Sequence, residues 1–147
     1  MPGAHYAGTL VVYIAAGLFS IFGPSVVALK LATYPFALGF VAGTFELGRR
    51  LGGVFVGAIA GLFVAVAPPL LVKYSQLAIG GHTETLAIGV WLVILTMELE
   101  RRSSGPGTLR LTFLAGFLAG IAFWTLPAIV PCLLAIFGFI TLHKPLW

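Results

Sequence analysis

The chain has 147 residues, of which 60% are hydrophobic and only 8% charged, and its mean hydropathy is +1.11. That composition excludes a water-soluble domain of this length, which needs far more polar residues to cover its surface. The net charge of +4 comes from basic residues scattered at segment ends, with no patch that could track phosphates, so nucleic acid is excluded as a partner.

The first apolar segment runs from about Tyr6 to Phe22. At 1.5 Å per residue it reaches only ~25 Å, marginal for crossing ~30 Å of hydrocarbon. Gly23-Pro24 break it, and Ser25 is placed to cap the next helix. The second segment, Val26 to Leu47, carries Lys30 and Pro35 and ends at Arg49-Arg50, where Gly52-Gly53 allow a tight turn. The third runs from Val54 to Val72, with Pro68-Pro69 near its end. A polar stretch from Lys73 to Glu84 follows, then a fourth segment from Thr85 to Met97 and the loop Arg101 to Gly107. The fifth segment covers Leu109 to Trp124, and the sixth runs from Ala128 to Leu142. The expected fold is an all-α polytopic membrane helix bundle of about five spans plus an N-terminal interfacial helix, a single domain over 1–147.

If segments two to six all span, Arg49, Arg50, Arg101, Arg102, Arg110 and Lys144 fall on one side, and Lys30 and Lys73 on the other. The positive-inside rule then makes the arginine-rich loops cytoplasmic and exposes the stretch from Lys73 to Glu84. Gly39 and Gly43, Gly53 and Gly57, and Gly116 and Gly120 are spaced four apart, a pattern expected to pack helices within this chain. The N-terminus has neither a basic n-region nor a small-residue cleavage site, so no removable signal peptide is expected.

Polar chemistry is sparse. There is no aspartate, and the only carboxylate side chains are Glu46, Glu84, Glu98 and Glu100. Glu46 precedes Arg49 and Arg50, and Glu98 precedes Arg101 and Arg102, by three and four residues, which reads as surface ion pairing along each helix. The richest cluster holds Lys73, Tyr74, Ser75, Gln76, His82, Thr83 and Glu84. Glu84 begins a helix, where the macrodipole favours a carboxylate with or without a ligand. The single Cys132 excludes an intrachain disulfide, and the histidines are too far apart for a metal site. No phosphate loop, nucleophile triad or dinucleotide fingerprint occurs, so neither metal nor cofactor is expected.

Three stretches carry a resemblance when taken in order. The first holds Phe22-Gly23-Pro24-Ser25, then Gly48-Arg49-Arg50-Leu51-Gly52-Gly53 and Ala67-Pro68-Pro69. The second is Tyr74-Ser75 followed by Gly80-Gly81-His82-Thr83-Glu84-Thr85. The third runs from Leu118 to Pro127. Together they resemble the N-terminal half of bacterial polyprenyl-phosphate-sugar-dependent membrane glycosyltransferases, the group of protein O-mannosyltransferases and lipid A aminoarabinose transferases. The resemblance implies a multi-pass protein of the bacterial inner membrane, with a polyprenyl-phosphate sugar and a complementary membrane half as partners besides the bilayer. It makes Lys73, Tyr74, His82 and Glu84 the substrate-binding candidates, Lys73 as a point charge toward the carrier phosphate.

The chain departs from that family in two places. Members carry an acidic residue in a first external loop, before the stretch that Tyr6 to Leu10 resembles, as base toward the acceptor; this chain offers none upstream of Glu46. Members also often have basic residues where Leu77 and Ile79 stand. The expectation is therefore a glycosyltransferase-like fragment that is inactive alone. The competing reading is a small non-enzymatic polytopic subunit or transport component.

Overall fold

A computed structural model describes residues 10–66, 82–101 and 106–143. All of its elements are helical: α1 (Leu10–Phe22), α2 (Val26–Ala65), α3 (His82–Arg101), α4 (Pro106–Thr125), a 3-10 turn (Pro127–Ile129) and α5 (Val130–His143). Three helices are long and apolar enough to cross a membrane, Val26–Ala65, His82–Arg101 and Gly107–Thr125, whereas Leu10–Phe22 and Pro127–Thr141 are shorter.

The turn between α1 and α2 follows from its residues. Gly23 takes a left-handed φ of +76°, Pro24 follows, and Ser25 is extended, its Oγ accepting from the Ala28 N–H at 3.1 Å. Such a cap contributes ~1 kcal/mol. Val11 and Ala15 of α1 then pack with Ala32 of α2, flanked by Ile14, Leu18, Leu29 and Phe36. The seam repeats every three or four residues on both helices, so they lie along each other.

Helix α2 is not one rod. Gly52 (φ −146°) and Gly53 (φ +85°) leave helical geometry and fold it into two arms, 26–51 and 54–65. A Cβ on Gly57 would stand 2.6 Å from the Phe45 carbonyl oxygen, and one on Gly48 would stand 3.0 Å from the Gly57 Cα. The two arms are thus in backbone contact, as small residues permit where lipid supplies no hydrophobic drive.

The first arm of α2 runs parallel to α3. Trp91 Nε1 donates to the Gly39 carbonyl at 3.0 Å, a Cβ on Gly43 would meet Val90 and Trp91, and Arg50 reaches Glu98. Helix α4 returns along α3 through Ala122, which is buried with Ile88 and Leu92. The 3-10 turn crosses at Gly89, where a Cβ would stand 3.3 Å from Ile129 Cδ1. α3 is therefore the central strut, touched by α2, α4, the turn and α5.

The distribution of side chains is inverted relative to a soluble protein. Leu109, Phe55, Phe63 and Phe113 are each at least three-quarters exposed, whereas the buried positions include Thr33, Thr83, Glu84, Thr85, Thr96 and Thr125 beside alanines and glycines. In water this would forfeit the main driving force of folding. In lipid it places small and polar residues where helices meet, which is the arrangement of a membrane protein.

The glycine pairs do not all act alike. Gly43 and Gly57 are packed, but Gly116 and Gly120 on α4 meet nothing within 4 Å among the described residues. The expectation of packing within this chain fails there because α4 turns that face outward.

Candidate functional site at the start of the third helix

The parallel register of α2 and α3 gives the bundle two different ends. At one lie Arg49, Arg50, Glu98 and Arg101; at the other lie the start of α3 and the turn after Thr125. The polar residues at the second end are the ones that face inward.

Helix α3 begins at His82, three residues before the segment start expected from hydropathy. His82 is exposed, and Thr83, Glu84 and Thr85 are all buried, Glu84 to 5% and Thr85 to 7% relative exposure. The carboxylate in the first turn is favoured by the helix dipole. It makes no hydrogen bond or ion pair with another described residue.

Thr85 differs from the other buried threonines. Thr33, Thr96 and Thr125 each return the hydroxyl to their own helix, donating to the carbonyls of Lys30, Leu92 and Ile121 at 2.8–2.9 Å. Those bonds satisfy the hydroxyl without help from water. Thr85 Oγ1 is buried with no hydrogen-bond partner among the described residues. Leaving a buried hydroxyl unpaired costs about 1–3 kcal/mol, so such a group calls for an explanation.

Thr125, fully buried, and the turn Pro127–Ile129 close the same end. One further residue belongs there by register. Gly43 packs against Val90 and Trp91 and Arg50 meets Glu98, which sets about Tyr34 of α2 level with His82 of α3. Lys30 lies about one turn beyond that level, exposed on α2.

Of the sequence-derived candidates, His82 and Glu84 fall on one helical turn, and Lys73 and Tyr74 lie outside the described residues. Thr85 was missed because a threonine in an apolar segment gives no signal until its partners are known. The sequence gives Lys30 only a side of the membrane, since its height depends on register between helices. The arrangement can accept hydrogen bonds through Glu84, exchange them through Thr85 and supply a positive charge through Lys30. Among the described residues no group of three or more histidine, cysteine or carboxylate side chains could hold a metal ion.

The opposite end is an ion cluster. Glu46 accepts from Arg49 Nε and Nη2 at 2.7 and 2.8 Å and from Arg50 Nε at 2.7 Å, as the spacing predicted. Arg50 Nη1 also reaches Glu98 Oε2 at 3.3 Å, so Glu98 has a partner on another helix rather than on its own alone. Of these pairs, the one between Arg50 and Glu98 joins α2 to α3, and those on Glu46 lie within α2.

No family model, curated protein or solved structure matches this chain.

Proposed function

We propose that this chain is part of a glycosyltransferase-like membrane domain that holds a polyprenyl-phosphate sugar at the end of the bundle where α3 begins. The observation that carries the reading is the buried Thr83-Glu84-Thr85 turn, whose Thr85 hydroxyl has no partner among the described residues. Polar groups are costly at such a position in a membrane protein and are kept for ligands. A sugar hydroxyl donates to the carboxylate and pairs with the Thr85 hydroxyl, and the carrier phosphate lies toward Lys30, with His82 at the rim; Lys73 and Tyr74 join them as the candidates that the sequence alone supplies. The ordered series of motifs from Phe22 to Pro127 supports the same ancestry.

In this reading the two arms of α2, α3, α4 and the segment after Pro127 make five crossings, and α1 lies at the interface. The arginine-rich end is cytoplasmic and the sugar end external, in a bacterial inner membrane. A complementary membrane half completes the enzyme.

The test is binding of polyprenyl-phosphate mannose to purified protein in lipid nanodiscs. Wild type is expected to retain the donor over free polyprenol, and Glu84→Gln and Thr85→Val each to weaken retention about tenfold, the loss of one buried hydrogen bond. Equal retention of donor and polyprenol would remove the reading and leave a non-enzymatic subunit.

A further inference from the structure

A second feature lies away from this end and does not depend on the reading above. The two arms of α2 and the side of α3 enclose an open groove of about 920 Å³. Its walls are apolar, with Leu38, Phe45, Leu62, Ala65 and Trp91 among them, and only Glu46 and Arg50 are charged. Both stand at the arginine end. From Leu38 to Arg50 the groove follows twelve helical steps, ~18 Å at 1.5 Å per residue. That is about one leaflet of a ~30 Å hydrocarbon core.

The groove is polarised: an apolar slot for one chain that ends at Arg50 and at Glu46, the carboxylate that Arg50 shares with Arg49. Arg49 and Arg50 each spend two nitrogens on carboxylates, and the third, Nη1 of Arg49 and Nη2 of Arg50, bonds to no other described residue. Two arginines share Glu46, and the contact from Arg50 to Glu98 is the long one at 3.3 Å. Arginines held by carboxylates in this way keep donors free for phosphate oxygens, which guanidinium matches in geometry. Basic pockets between membrane helices bind anionic headgroups by this logic.

We infer that the groove between the arms of α2 and α3 seats one acyl chain of an anionic glycerophospholipid, with the phosphate held by Arg50 at its end and by Arg49 beside it, outside the lining. The lipid fills what would otherwise be a void between the hairpin and α3. It also links the ion cluster to the membrane surface.

Trp91 lines the groove and serves as the probe. The full chain carrying Trp124→Phe and Trp147→Phe is reconstituted in phosphatidylcholine nanodiscs with a small fraction of chain-brominated lipid, either phosphatidylglycerol or phosphatidylcholine. Brominated phosphatidylglycerol should quench Trp91 with an association constant about fivefold or more above that of brominated phosphatidylcholine, the preference of a single basic residue for anionic lipid. Arg49→Gln, which leaves the bond from Arg50 to Glu98 in place, should reduce that preference. Ala42→Phe, which fills the groove, should reduce quenching by both lipids. Equal quenching by the two headgroups in the wild-type groove would overturn the inference, as would quenching by neither.

Discussion

Arg50 on α2 and Glu98 on α3 meet 3.3 Å apart across the helix interface, forty-eight residues apart in the chain. With the packing of Gly43 against Val90 and Trp91, this contact fixes the register of the two parallel helices. That register decides which residues share an end of the bundle.

The pair is partly exposed, so its own contribution is small. Arg50→Ala should destabilise the bundle by about 0.5–1 kcal/mol, the range of boundary ion pairs. Thermal unfolding in detergent should show Arg50→Glu to be worse than Arg50→Ala, with partial recovery in the swapped double variant Arg50→Glu/Glu98→Arg. Additive losses would mean the two residues do not interact.

The hairpin gives a sharper contrast. Gly57→Ala places a methyl group 2.6 Å from a backbone oxygen and 2.9 Å from the Arg49 nitrogen, neither of which can swing aside. A loss of about 1–3 kcal/mol is expected, as for overpacking in general. Gly116→Ala enters open space and should be neutral or slightly stabilising. Similar unfolding curves for the two variants would contradict the packing of the arms.

Orientation is open to labelling. In a Cys132→Ala background, an impermeant thiol reagent added outside intact cells should modify a cysteine at the exposed position His82 and not one at Ser103. The reverse pattern would turn the start of α3 toward the cytoplasm and overturn the proposed function.

The first helix makes its own prediction. α1 has 13 residues and packs along the start of α2. A tag at the N-terminus should be cleaved by protease added to intact cells, as an external interfacial helix requires. Protection until the membrane is opened would make α1 a span.

Catalysis by this chain alone is not expected. Abstraction of an acceptor proton needs a base within hydrogen-bond reach, and a positioned base contributes ~10²–10⁴-fold. Glu46 and Glu98 are at the arginine end, and Glu84 is assigned to the donor. Purified protein with polyprenyl-phosphate mannose and an acceptor extract should show no transfer above a boiled control. Robust transfer abolished by Glu84→Gln would make that residue the base instead.

Much of the fold is local and could be read from the residues. Ser25 caps α2, Gly52-Gly53 make the turn, and Glu46 pairs with both arginines, each within four residues. What could not be read is what depends on helices meeting. Glu98 looks committed to its own helix until α2 is brought alongside. Gly43 and Gly116 are the same residue in the same kind of pair, yet one is packed and the other bare. The number of crossings is also beyond hydropathy: the second arm is described only to Ala65, and the last apolar segment begins as a 3-10 turn. At the site, Glu84 announces itself as a charge, but the burial of Thr85 and the height of Lys30 emerge only from packing.

Without the break at Gly53, the 40 residues of α2 would form a straight rod of ~60 Å, twice the thickness of the hydrocarbon core. One left-handed residue therefore turns that rod back on itself, and the two arms close on each other through Gly48 and Gly57. A residue with a side chain at Gly53 would have to hold φ +85°, so the strain would fall on the turn before any ligand or partner is involved.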